Sequence, residues 1–571
     1  MIREQIEEIL AKAAPEGAAI ELSVPEREEF GHYSTNAAMR MAARGLSRKG
    51  AADYADKLKA KIEKIAPKGF FEKVEVAPPG FINFWVTKEI IQKELGEIAQ
   101  EKDAFGENAI GKKQKVIVEY SSPNIAKPMH AGHLRNTVLG DALANLYAAN
   151  GYDVIRWNYP GDWGTQFGKL IAAYKLWGEK SAIEKKPIQE MLSLYVRFHD
   201  EAKRDSALEE KGREEFQKLE EGDEENRKLW EWFKEESFKE FNRVYALLGI
   251  KFDVTVGESF FEGDLDGVIK ELMEKGLAKE SEGALIVPLE QFGLPPALAR
   301  KSDGASLYLT RDIALLEYRI KKYKPVRILH IIGNEQSLYF EQLAKTAALL
   351  GVPEKQCPVH VKYGLVLDEG GKKFATREGR AIFLDEIMEK AIALARNIVE
   401  EKNSELGAEE KEHIAEAVAL GALKYTMLKE NRTSDITFNW KNMLDFTGDS
   451  GPYLQYTYAR LRSILRKAEA HVSSVKCQVS SLDTECELAL IRKLAEFPHA
   501  VRVAAEALAP NALALYAYEL ANLANRFYEA EPILTDENTE RKSARLLLVE
   551  VAARVLARGL GLLGIKTLEK I

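Results

Sequence analysis

The stretch with most chemical promise runs from Glu119 to Asp141, EYSSPNIAKPMHAGHLRNTVLGD. Two histidines, His130 and His133, stand three apart across Ala131-Gly132. They follow the short apolar run VIVEY, which reads as a strand. They open a segment in which Leu134, Val138, Ala142 and Leu146 fall on one helical face. Imidazoles at such a helix start suit an anion, because unpaired backbone N–H groups and the helix dipole point outward there. A phosphate whose charge grows during reaction is the natural occupant, and Gly132 removes side-chain bulk where a nucleotide base must come close. The plainer alternative is a histidine pair that caps or packs at the helix start. The chemistry the pattern points to is nucleotidyl transfer to a carboxylate or a phosphate.

Such a pair needs elements to hold it. VIVEY, the helix after His133 and the run VIRWNY make one βαβ unit, with Gly151 at the helix end. A second unit comes much later: VRILHIIG as strand, SLYFEQLAKTAALLG as helix, VHVKYGLVL as strand. Between them, from about 180 to about 255, lies a densely charged helical stretch that reads as an insertion. The first hundred or so residues read as a small α/β unit. Its helix runs from Ile2 to Ala14, its strand is AIELSVP, and VEVAPPGFINFWV holds a Pro-Gly turn between two strand-like runs. After about 446 the pattern is helical throughout. The expected fold is α/β: a doubly wound, Rossmann-type parallel sheet split by a helical insertion, with a small N-terminal α/β domain and a C-terminal helical bundle. The expected boundaries are 1–105, 106–445 with the insertion at about 180–255, and 446–571.

Composition narrows the field. A chain of 571 residues is too long for one core. The formal net charge of −8 gives no general support to nucleic-acid binding, so an RNA interface would have to be a local basic surface. Cys357, Cys477 and Cys486 are isolated, which argues against both a zinc knuckle and a disulfide framework. No apolar run approaches the roughly 20 residues of a membrane span. The N-terminal segment lacks the apolar centre of a signal peptide. A cytoplasmic protein with no membrane and no DNA partner is expected. Two nucleotide-binding patterns match by letter only. Gly559-Leu560-Gly561-Leu562-Leu563-Gly564 sits in a helical context, and Gly106 to Lys112 precedes a strand with Lys113 where Ser or Thr should stand.

His130-Ala131-Gly132-His133 resembles the HIGH signature of class I aminoacyl-tRNA synthetases. The phrases SSPNIAKP, RWNYPGDWGTQFG, GHYSTNAAMRMA, PGFINFWV and TGDSGPYLQYTYAR are similar to arginyl-tRNA synthetases in particular, and they occur in the expected order along nearly the whole chain. The resemblance implies an arginine–tRNA ligase acting on ATP with Mg²⁺, L-arginine and tRNA(Arg), with no tightly bound cofactor or resident metal, and working as a monomer. Rival readings are a synthetase of other specificity, a small-molecule adenylyltransferase, and a non-catalytic paralogue that binds arginine or RNA.

Residue roles follow from the same resemblance. His130 and His133 stabilise the α-phosphate. The second signature loop, KMSKS in most of the class, is here Lys372 to Arg380, in which Lys373 and Arg377 are the ATP-facing cations. Lys127 matches the lysine that substitutes for the missing one. Glu119, Tyr308 and Asp312 match groups around the guanidinium, and Asn124 and Gln336 those at the α-amino end. A planar five-donor cation needs carboxylates and oriented acceptors, and all five positions fall near the ends of the expected strands. Tyr453, Gln455, Tyr456 and Arg460 begin the anticodon-reading helices, where aromatics can stack on unpaired bases. Core packing is the alternative for the two tyrosines. Ile571 stands where the family usually ends in methionine. The family generally needs tRNA present even for the first step.

Overall fold

The protein is represented by a computed structural model that describes residues 1–15, 20–43, 50–301, 308–372, 382–402, 405–468 and 479–571. The helix Ile2–Ala13 buries Ile2, Ile6, Ile9 and Leu10, the spacing of a single helical face. It packs with a four-stranded antiparallel sheet of β1 (Leu22–Ser23), β2 (Tyr33–Thr35), β3 (Phe71–Ala77) and β4 (Phe81–Val86), ordered β1-β2-β4-β3. The β3–β4 hairpin turns at Pro78-Pro79-Gly80, as the sequence suggested. Buried Arg3 and the Tyr33 hydroxyl both reach across to Glu496, far along the chain: Arg3 Nε donates at 2.7 Å and Tyr33 Oη at 2.8 Å.

The central sheet begins with β5 (Lys115–Glu119), β6 (Asp153–Asn158) and β7 (Val254–Thr255). Between β6 and β7 the charged stretch folds into the helices Lys180–Lys185, Pro187–Ala202, Ala207–Glu221 and Glu224–Leu247. Met191, Phe198, Trp230 and Phe233 are buried among them, and most of the charges face solvent, Glu215 and Glu236 excepted. A three-stranded antiparallel sheet follows, β8 (Lys279–Ser281), β9 (Ala284–Val287) and β10 (Ala297–Arg300), which the sequence reading did not see. Then come β11 (Arg327–Gly333) and β12 (Pro358–Tyr363). The five-stranded sheet is ordered β12-β11-β5-β6-β7 and is parallel throughout. The order in which strands are added reverses between β5 and β11, so their carboxyl ends border the crevice where ligands of such sheets bind.

The run VHVKYGLVL does not form one strand. β12 stops at Tyr363, and β13 (Val366–Leu367) pairs instead with β14 (Ile436–Thr437). Gly364 makes the break: its N–H donates to the Arg432 carbonyl, and a Cβ there would lie 2.5 Å from the Ser434 carbonyl oxygen. Helices Gly451–Lys467, Glu485–Ala495, Phe497–Glu506, Pro510–Ala530 and Thr539–Leu562 make the C-terminal bundle. Buried Arg545 joins three of its segments, bonding Glu487 at 2.7 Å, Asp536 at 3.0 Å and Glu531 at 2.5 Å. Gly559 and Gly561 lie inside the last helix, so the letter pattern there is no phosphate loop. Among the described residues, no helix is long and apolar enough to cross a membrane.

Candidate active site

His130 is the N-cap of the helix Ala131–Ala149. Its Nδ1 accepts from the Gly132 N–H at 3.1 Å, and His133 Nδ1 accepts from the His130 N–H at 3.1 Å, a reciprocal capping box built from imidazoles. A ring nitrogen that accepts a backbone N–H carries no proton, so each neutral ring keeps its hydrogen on Nε2. Burial, and secondarily the neighbouring His130, hold the His133 pKa down at about 3. The rings are 4.0 Å apart. The helix start thus presents donors and not cations. Capping and anion binding are therefore two uses of one arrangement. Gly132 serves first the His130 ring, for a Cβ there would lie 2.9 Å from Cε1.

The same helix ties the crevice together. Asn136 accepts from the Ser121 N–H at 2.5 Å and donates to the Ile331 carbonyl at 2.5 Å, joining the ends of β5 and β11. Arg135 is buried and spends its guanidinium on the carbonyls of Leu365 (3.1 Å), Arg432 (3.2 Å) and Ser434 (2.8 Å), which fixes the segment leading to the second signature loop. The loop after β5 is zipped to the GDWG phrase: Gly161 N–H donates to the Pro123 carbonyl and Ile125 N–H to the Gly161 carbonyl, both at 3.1 Å. Asn124 lies over Gly161, where a Cβ would meet its Oδ1 at 2.4 Å.

Strand register sets the pocket wall. His330 of β11, Glu119 of β5 and Trp157 of β6 are side by side across three strands. Glu119 is buried, with the Arg319 guanidinium bonded to one oxygen and His330 Nδ1 3.4 Å from the other. Burial alone would raise the Glu119 pKa, but His330 and Arg319 outweigh it and hold it at about 2. Arg319 also lies 4.3 Å over the Trp157 ring. Glu119 therefore already meets a guanidinium, one supplied by the chain. Asp312 accepts a hydrogen bond from the Tyr339 hydroxyl, and burial lifts its pKa to about 6. The His330 Nε2 and Tyr159 Oη atoms are buried without partners among the described residues. Tyr159 is near enough to Asp312, Glu258 and Glu119 that these carboxylates, after burial itself, push its phenol pKa well up.

Tyr308 and Asp312 come from the first turns of the helix Tyr308–Tyr323, not from a strand end as expected. Arg311 anchors that turn through Glu262 at 3.1 Å and Glu258 at 3.8 Å, leaving Tyr308 exposed. Gln336 is exposed just beyond β11, and Asn124 is exposed beyond β5.

The comparisons with known proteins agree in every segment. Residues 94–440 match the family model for the catalytic domain of class I tRNA synthetases (R), 454–571 the DALR anticodon binding domain, and 1–86 the arginyl tRNA synthetase N terminal domain. The chain is 45% identical over 512 residues to the arginine–tRNA ligase of Clostridium acetobutylicum, covering 89% of each chain. It is 42% identical over 551 residues to that of Halothermothrix orenii, covering 96% of this chain and 95% of the relative. The chain belongs to the arginyl-tRNA synthetase family. Its structure is similar to the Thermus thermophilus arginyl-tRNA synthetase, with a TM-score of 0.84 at 29% identity over the whole of both chains. For the Plasmodium falciparum enzyme the TM-score is 0.83 at 26% identity, covering 100% of this chain and 98% of that one.

In this arginyl-tRNA synthetase fold the remaining expected residues divide. Lys373 and Arg377 lie outside the described residues. Lys127 is half-buried, three residues past the Asn124–Gly161 bridge. In the C-terminal bundle Tyr456 and Arg460 line a cleft of about 460 Å³ with Lys467, Tyr528, Lys570 and Ile571. The Arg460 guanidinium is 5.0 Å from the Tyr456 ring and 5.5 Å from that of Tyr528. Gln455 is a correction. It is fully buried, and its amide donates to the Ala417 and Lys566 carbonyls at 3.0 and 2.7 Å, which makes it a tie between helices. The Tyr453 hydroxyl is engaged with Asn522 and Asn525. Sequence reasoning missed His330, Tyr159, Arg319, Tyr339, Arg135 and Asn136. The one signal for His330 was a polar residue within the apolar run VRILHIIG.

Proposed function

We propose that the chain joins arginine to tRNA(Arg) in two steps at the crevice between β5 and β11. The arginine carboxylate attacks the α-phosphate of ATP, which arrives with Mg²⁺, and pyrophosphate leaves. The terminal ribose 2′-OH of tRNA then attacks the arginyl-adenylate, releasing AMP. His130 and His133 donate from Nε2 to the oxygens on which charge accumulates, where losing one such donor costs about 3 to 4 kcal/mol. Lys127, with Lys373 and Arg377 of the signature loop, faces the departing phosphates. Glu119, Tyr308 and Asp312 receive the guanidinium, and Asn124 and Gln336 the α-amino end. The N-terminal unit, 1–105, and the helical unit, 446–571, hold the tRNA, with Tyr456 and Arg460 at the anticodon. The enzyme acts as a cytoplasmic monomer.

One observation carries the arginine assignment. Tyr159 Oη and His330 Nε2 are buried and, among the described residues, unpartnered beside two carboxylates of very different pKa. Buried polar atoms are normally paired, and each one left unpaired costs about 1 to 3 kcal/mol. A planar five-donor cation supplies hydrogen bonds to such a wall. A ligand without those donors is rejected by roughly 10⁴ to 10⁵ fold, so no editing site is needed. Aminoacylation of total tRNA with each of the twenty labelled amino acids tests reaction and specificity together. Arginine alone should be transferred. Pyrophosphate exchange with arginine should require tRNA, and transfer of another amino acid at comparable rate would overturn the reading.

A further inference from the structure

Lys127 precedes the paired histidines by three residues, and among the described residues no carboxylate lies within ion-pair distance of its ammonium. What faces it is the ring of Tyr195, 5.7 Å from Nζ to the ring centroid. Tyr195 belongs to the insertion helix Pro187–Ala202, whose Met191, Leu194 and Phe198 are buried. The His199 ring, one turn on, sits edge-on against Tyr195 at 4.6 Å. The insertion also holds the loop from below. Ser237 Oγ accepts from the Ala126 N–H at 3.1 Å, and Ala126 has a φ of 61°, a strained value for alanine. Tyr245 Oη meets Ser121 Oγ at 2.8 Å. The backbone carrying Lys127 is therefore fixed on the helical insertion, and only its long side chain needs steering.

A π face suits that task better than a carboxylate would. It attracts a cation within about 6 Å of its centroid without neutralising it, so the charge stays available to a phosphate. We propose that Tyr195 is a positioning residue for arginine activation, holding the Lys127 ammonium ready for the leaving pyrophosphate. This rests on the role given to Lys127 above. It makes the insertion part of the catalytic apparatus instead of a decorated surface.

The experiment is a double-mutant cycle on the full chain, reading kcat and KM for tRNA-dependent ATP–pyrophosphate exchange in wild type, Y195F, Y195L, Y195Q, K127M and K127M/Y195L, with thermal melts to confirm folding. A cation–π contact at a partly exposed site sets the expected size. Y195L and Y195Q should lower kcat roughly two- to fivefold with the arginine KM unchanged, and Y195F should retain wild-type kcat. In the K127M background, Y195L should cost nothing further. Equal losses in both backgrounds, wild-type kcat in Y195L, a Y195F as slow as Y195L, or a K127M as fast as wild type would each overturn the proposal. If the wild-type chain charges tRNA with arginine but the cycle shows no coupling, only Tyr195 loses its role. If the wild type makes no arginyl-tRNA, the functional reading falls with it.

Discussion

Asp312 offers a sharp test of the guanidinium pocket. Burial raises its carboxyl to a pKa of about 6, against the lowering effect of the Tyr339 hydrogen bond, with Glu119 adding a further upward push. A guanidinium needs the carboxylate form. Arginine binding should therefore weaken as pH falls through about 6, because an increasing share of the free enzyme carries a proton there. Tyr339→Phe removes the hydrogen bond and keeps the ring. A hydrogen bond to a charged group contributes about 1.5 to 3 kcal/mol, or roughly one to two pKa units, so the variant's carboxyl should titrate at roughly 7 to 8. The ionised fractions then give an arginine KM raised by roughly 5- to 50-fold at about pH 6, and by no more than about fourfold at about pH 7.5. Steady-state aminoacylation between about pH 5.5 and about pH 8.5 measures this, with the ATP KM as the internal control. A wild-type arginine KM flat across that range, or a Tyr339→Phe profile superimposed on it, would refute the reasoning.

Four further outcomes follow from the geometry. His133→Ala should lower the rate of activation by roughly 10²- to 10³-fold with little change in the arginine KM, measured by single-turnover adenylate formation. Arg545→Met leaves Glu487, Asp536 and Glu531 facing one another in the bundle and should cost about 3 to 5 kcal/mol in urea unfolding. Arg460→Ala should raise the KM for tRNA while the melting temperature holds. Gln455→Ala should do the reverse, because its amide is spent on the Ala417 and Lys566 carbonyls.

What the sequence made legible was local. The histidine pair, the helix it opens and the strands on either side were readable from spacing, since a helix cap and an apolar period are written in consecutive residues. Glu119 and Asp312 were reached through resemblance, and their opposite pKa shifts could not have been, because those depend on Arg319, His330 and Tyr339 arriving from other elements. The row His330–Glu119–Trp157 is a matter of register between three strands, and one sequence does not encode register in any local pattern. Arg135 and Asn136 were hidden within a segment whose spacing suggested one apolar face, whereas the helix is buried on nearly every side. The antiparallel strands β8 to β10 are three or four residues long, too short for alternation to show. Gln455 came with the resemblance alone, and its burial depends on the Ala417 and Lys566 carbonyls, which arrive from distant segments.

The bonds from Arg3 and Tyr33 to Glu496 set a timetable for synthesis. At about 5 to 20 residues per second, the partner of Arg3 leaves the ribosome roughly 25 to 100 s after Arg3 does. Through that interval the first helix can bury its leucine and isoleucines, but the Tyr33 hydroxyl must face water or another acceptor. The opening domain of this chain is finished only when its closing bundle is largely made.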